Sequence, residues 1–61
     1  MSSMKEYRVL VLTPGGHILD QHTLTCADDD EARATAVLFA DTNPVEIWIG
    51  PVRIARLIPK H

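Results

Sequence analysis

The feature that most constrains this chain is a single helical segment held between two strand pairs, each pair interrupted by its own proline–glycine turn. Asp28-Asp29-Asp30-Glu31 opens the helix. Asp28 is placed to cap the first turn, Glu31 stands three residues on as in a capping box, and the acids favour the positive end of the helix dipole. The body, Ala32–Asp41 (ARATAVLFAD), is alanine-rich and a strong helix former, and Asn43-Pro44 stops it. Ala32, Ala36, Phe39, Ala40 and Asn43 share one stripe at helical spacing. The alanines let the helix axis lie close to whatever it covers, with Phe39 as the one large anchor.

On the N-terminal side, Tyr7–Leu12 (YRVLVL) is rich in β-branched and aromatic residues and reads as a strand. Thr13-Pro14-Gly15-Gly16 is a turn, because proline presets one backbone angle and glycine takes the positive φ that closes it. His17–Thr25 is the returning strand; two-, three- and four-residue loops all fit, and each one-residue change swaps the faces. On the C-terminal side, Val45–Ile49 and Val52–Ile58 pair around Gly50-Pro51. A two-residue loop there sets Ile49 against Val52, Ile47 against Ile54 and Val45 against Arg56. The other face then carries Trp48 against Arg53 and Glu46 against Ala55, with Leu57 beyond. The expected fold is α+β in the order ββαββ, a four-stranded, mostly antiparallel sheet with one helix on one face. It is expected to span residues 5–58, with 1–4 a disordered leader and 59–61 a tail.

Composition removes several classes of function. Sixty-one residues hold one small domain, and 46% hydrophobic with 23% charged residues is the balance of a folded chain rather than a disordered one. The single cysteine, Cys26, excludes an internal disulfide framework, and no cysteine cluster offers structural zinc. The longest apolar runs, such as Val9–Leu12 and Ala36–Ala40, are too short for a membrane span or signal peptide, so a cytoplasmic location is expected. A domain of this length buries only about 60% of its unfolded surface. Without disulfide or metal, a partner is expected to add stability.

The two sheet faces suggest where that partner sits. Val45, Ile47, Ile49, Val52 and Ile54 are the expected helix face, joined by Tyr7, Val9 and Val11. The opposite face should be polar if it meets water. Alternation instead gives it Leu10, Leu12, Trp48, Ala55 and Leu57, with Arg8, Glu46 and Arg53 as polar members. Such a patch marks an interaction surface, and tryptophan and arginine are the residue types enriched at binding hot spots. The expected interface is Leu10, Leu12, Trp48, Arg53, Ala55 and Leu57, packed sheet against sheet in a two-fold homodimer or against another protein partner.

Chemistry-bearing patterns are weak. His17, His22 and Cys26, with Asp20 between, are spread along an extended strand on which residues four apart lie roughly 13 Å from each other, so no metal site is expected. Pro14-Gly15-Gly16 leads into a strand rather than a helix, so it is no phosphate cradle. Cys26 stands before the helix, but the aspartates after it favour the protonated thiol. The only serines are Ser2 and Ser3, and no nucleophile–base pair stands out. Neither catalysis nor a cofactor is expected. Nucleic-acid binding is the rival class: Arg53, Arg56, Lys60 and His61 form an acid-free C-terminal run, and Trp48 and Tyr7 could stack on bases. Three or four cations on a chain of net charge −2 make a thin patch, so nucleic acid is the less favoured partner.

Tyr7–Leu12, Gly16-His17-Ile18, the acidic start Asp28-Asp29-Asp30-Glu31-Ala32, and Val45-Glu46-Ile47-Trp48 followed by Arg53-Ile54-Ala55-Arg56-Leu57 together resemble short, uncharacterised bacterial proteins of about this length. The resemblance covers residues 6–57 and implies a small ββαββ domain with no activity or cofactor attached. The hairpin and capped helix are also weakly similar to partial antitoxin domains of the HicB type. Those usually carry a third strand before the helix, which this chain lacks between Thr25 and Asp28. That likeness implies a regulatory module that uses its basic C-terminal strand.

Overall fold

The computed structural model describes residues 3–59. Met1 and Ser2 of the expected leader, and Lys60 and His61 of the expected tail and basic run, lie outside them. Four strands and one helix follow in the order ββαββ: β1 Lys5–Leu12, β2 Ile18–Cys26, α1 Asp29–Ala36, β3 Val45–Ile49 and β4 Val52–Leu57. They form one antiparallel sheet in the spatial order β2-β1-β3-β4, with α1 on one face. The fold is the α+β arrangement that the sequence implies.

Each turn has a local cause. The Gly16 N–H donates to the Thr13 carbonyl at 2.9 Å, the Thr13 N–H donates to the His17 carbonyl at 2.7 Å, and Gly16 takes φ 92°. Pro14-Gly15-Gly16 is therefore a three-residue loop that ends on a positive-φ glycine, which settles the open register. Gly50 at φ 56° precedes Pro51 in the two-residue loop of the second hairpin, where a glycine with positive φ is needed.

Two bulges then set the faces. In β2 the pairing steps from Val11↔Asp20 to Leu12↔Ile18, which leaves Leu19 as the extra residue. In β4 it steps from Trp48↔Arg53 to Ile47↔Ala55, and the extra residue is Ile54. A bulge places two residues opposite one and resets the alternation. Beyond it, Glu46 pairs with Arg56 and Val45 with Leu57. The regular register expected there, Ile47 with Ile54 and Val45 with Arg56, does not hold.

The helix is shorter than its sequence pattern. It ends at Ala36 and tightens into a single 3-10 turn, Val37–Phe39, whose end at Ala40 has φ −89° and ψ 55°. No glycine is present there to cap the helix in a left-handed conformation, and a 3-10 turn is the usual way such an end is tightened. Eight residues make the helix about 12 Å long, enough to cover the middle of the sheet.

The core lies between that helix and the sheet. Tyr7, Val9, Val45 and Ile47 are fully buried with Ala32 and Ala36, and Cys26 and Ala55 complete the cluster. At the helix start the Asp28 carboxylate accepts from the Glu31 N–H at 2.8 Å, and the Glu31 carboxylate accepts from the Ala27 N–H at 3.2 Å. This is the reciprocal cap the sequence implies, with the return bond one residue upstream. Tyr7 adds a tie across the layers, its hydroxyl donating to Asp29 Oδ1 at 2.7 Å. Phe39 reaches β2 and stacks on His22 with ring centroids 4.4 Å apart.

Candidate functional site: the helix-free sheet face

Opposite the helix, no second helix or strand covers the sheet among the described residues. The register assigns its occupants row by row. In one row Thr23, Arg8, Trp48 and Arg53 stand side by side on β2, β1, β3 and β4. In the next, Gln21, Leu10, Glu46 and Arg56 do the same. Trp48 on a central strand thus has an arginine on each neighbouring strand, and adjacent strands are about 4.8 Å apart.

The row is held by directed bonds. The Trp48 indole Nε1–H donates to Glu46 Oε1 at 3.0 Å, and Arg53 Nη1 donates to Glu46 Oε2 at 3.1 Å. The Arg8 guanidinium donates to the Gly50 carbonyl at 3.2 Å, which ties β1 to the β3–β4 turn. The Glu46 side chain is only 13% exposed, and it titrates below the usual carboxylate range. Its bond from Trp48 is the largest cause, and Arg53 adds to it; burial works the other way and is outweighed. Glu46 is the anchor that orients both Trp48 and Arg53.

The six expected interface residues divide. Leu10 and Trp48 lie on the open face and are half-buried, and Arg53 lies there exposed. Leu12 is 6% exposed at the end of β1, where its N–H donates to the Pro44 carbonyl, so it offers no free surface. Ala55 and Leu57 are not on this face: the bulge at Ile54 turns Ala55 into the core and packs Leu57 against it. The same bulge delivers Arg56, expected beside Val45 under the helix, to the open face. A signal for this was present in the sequence. Strict alternation of Val52–Leu57 buries an arginine among valines and isoleucines, and one extra residue separates the arginines from the apolar side chains.

Of the other candidates, Tyr7 and Cys26 are core residues. Tyr7 is fully buried on the helix side and cannot stack on an external base. Its phenol pKa is pushed up to about 12, first by the hydrogen bond to Asp29 and then by burial. Cys26 is 4% exposed, and burial raises its thiol pKa, aided by the Glu31 and Asp28 charges. His22 sits 3.2 Å from Asp20 and against Phe39, and His17 is exposed beside the first turn. No group of three potential metal ligands converges among the described residues. No helix among them is long and apolar enough to cross a membrane.

Fold and site together define a small one-layer-covered α+β domain whose distinguishing surface is an arginine-flanked tryptophan on an open sheet. Compared with protein-family models, curated proteins and solved structures, the chain gives no match in any of the three.

Proposed function

We propose that this chain is a small interaction module, without chemistry of its own, that works through the helix-free face of its sheet. The observation that carries the reading is the Arg8–Trp48–Arg53 row, fixed in place by Glu46 and left uncovered by any other element of the described chain. Half-buried aromatics flanked by arginine are the side chains that concentrate binding energy at interfaces. The buried, upward-shifted Cys26 thiol is the opposite of an activated nucleophile, which favours binding over catalysis.

A second copy of the chain is the occupant expected from sequence. Leu10 and Trp48 are what such a pairing would bury, and with Ala55 and Leu57 withdrawn it would be a small and wet contact. Sedimentation over a micromolar-to-millimolar series tests that mode. In this or any other association assay, Trp48→Ala combined with Arg53→Ala removes the response, whereas Leu38→Ser on the exposed 3-10 turn leaves it intact. A response lost in Leu38→Ser and kept in the Trp48/Arg53 variant would move the working surface to the helix side and overturn the reading.

A further inference from the structure

We infer that the occupant of the helix-free face is a single-stranded nucleic acid, a base stacking on Trp48 while Arg8, Arg53 and Arg56 hold consecutive phosphates. The inference rests on the reading of that face as the working surface and goes on to name its partner.

Three observations carry it. The first is the side-by-side order of Arg8, Trp48 and Arg53 on neighbouring strands, with Arg56 in the adjacent row. Single-strand binders combine an aromatic platform with cations that track the backbone, and an open sheet face suits an unstacked strand better than a duplex. The bonds to Gly50 and Glu46 use part of each guanidinium and leave further N–H donors for a phosphate. Beyond Arg8 and Leu10, Thr23 and Gln21 on β2 add uncharged donors to the same rows.

The second observation is charge separation. Arg8, Arg53 and Arg56 share the open face with Glu6 and Glu46, and Glu46 is already engaged by Trp48 and Arg53. Asp20 lies on the helix side of the sheet, Asp28, Asp29, Asp30 and Glu31 gather at the helix start, and Asp41 lies beyond the 3-10 turn. A net charge of −2 therefore hides a polarised molecule. The open face carries three arginines against two glutamates, Arg53 being paired with Glu46, whereas the helix side sets six acids against Lys5 and Arg33. A polyanion is thus favoured on the open face. The third is what a second copy would meet. Two-fold pairing of this face brings the three arginines of each copy into one interface and buries few apolar side chains.

The test uses the whole chain and an oligothymidylate of about ten nucleotides, within the usual range of site sizes. Trp48 is the only tryptophan, so its fluorescence reports this face alone. The strand quenches Trp48, and three phosphate contacts give a log–log salt slope of about −2, roughly a 20-fold loss of affinity between 50 and 200 mM salt. Arg56→Ser, at an exposed position, flattens the slope by about 0.7 with an unchanged far-ultraviolet circular dichroism spectrum. Trp48→Leu, read by anisotropy of a labelled strand, weakens binding by about 5- to 150-fold. No quenching at the lowest salt, or quenching indifferent to both salt and Arg56→Ser, overturns the proposal. Trp48 emission that responds to protein concentration and not to the strand also overturns it, giving the face to a second copy and leaving the interaction-module reading in place. Silence to both removes proposal and reading together.

Discussion

Neighbouring residues on β4 give the sharpest test of how the open face is built. With the bulge at Ile54, Ala55 points into the core at 9% exposure and Arg56 points out. Without it, Ala55 would stand on the open face against Glu46 and Arg56 would lie beside Val45. Ala55→Asp therefore forces a carboxylate into the cluster of Tyr7, Val9, Val45 and Ile47, none of which carries a charge. The effective penalty for an unpaired buried ion is several kcal/mol. At about 0.05–0.15 kcal/mol per residue, a domain of this length has only about 3–9 kcal/mol of stability to lose. Ala55→Asp should leave the chain unfolded or nearly so, and the milder Ala55→Ser should cost about 1–3 kcal/mol by burying a hydroxyl. Arg56→Ser should stay within about 0.5 kcal/mol of the parent. Urea unfolding followed by circular dichroism and Trp48 emission reads all three. A tolerated Ala55→Asp beside a sensitive Arg56→Ser would refute the bulge, and with it the arginine-rich face.

Removing the helix cap with Asp28→Ala should cost about 1 kcal/mol, a fall in Tm of about 4–8 °C for a domain of this size, measured by thermal melting. The Tyr7 phenol should titrate near pH 12 by ultraviolet absorbance rather than near the ordinary 10.0. Because the folded state holds the protonated phenol more strongly, its contribution is complete below pH 10 and lost as pH rises towards 12, and Tyr7→Phe should abolish that alkaline step. Glu46 behaves in the opposite sense: its carboxylate stabilises the fold above the ordinary value of 4.5, and that contribution disappears as pH falls through its lower folded value. Acid titration should therefore shift Trp48 emission as the indole loses its charged acceptor, and Glu46→Gln should remove the shift. Cys26 should react with a thiol reagent only as fast as the domain opens, and immediately in denaturant.

Much of the fold was legible because local signals agreed with one another. Asp28 and Glu31 announced the helix start, the β-branched runs announced the strands, and Gly50-Pro51 gave the tight turn at its observed length. The helix end was overestimated because ARATAVLFAD favours helix throughout, while the chain has to turn towards β3 and tightens after Ala36. The open face was legible only in part. Trp48, Arg53 and Leu10 were placed there correctly by alternation from the turn and from β1. Ala55 and Leu57 were misplaced because a bulge has no residue of its own to mark it; its only trace was an arginine forced into the core by strict alternation. The bond from Tyr7 to Asp29, 22 residues apart, and the stacking of Phe39 on His22 depend on how helix and sheet meet, which no local pattern encodes.

The central claim is that the helix-free face does the binding, and a residue-level shift map tests it most directly. With ¹⁵N-labelled protein and the oligothymidylate, the account predicts that resonances of Arg8, Leu10, the Trp48 indole, Arg53 and Arg56 move with the added strand, while those of Asp29–Ala36 stay still. Shifts centred instead on the exposed Val37–Leu38 turn, with the open-face residues unmoved, would contradict it.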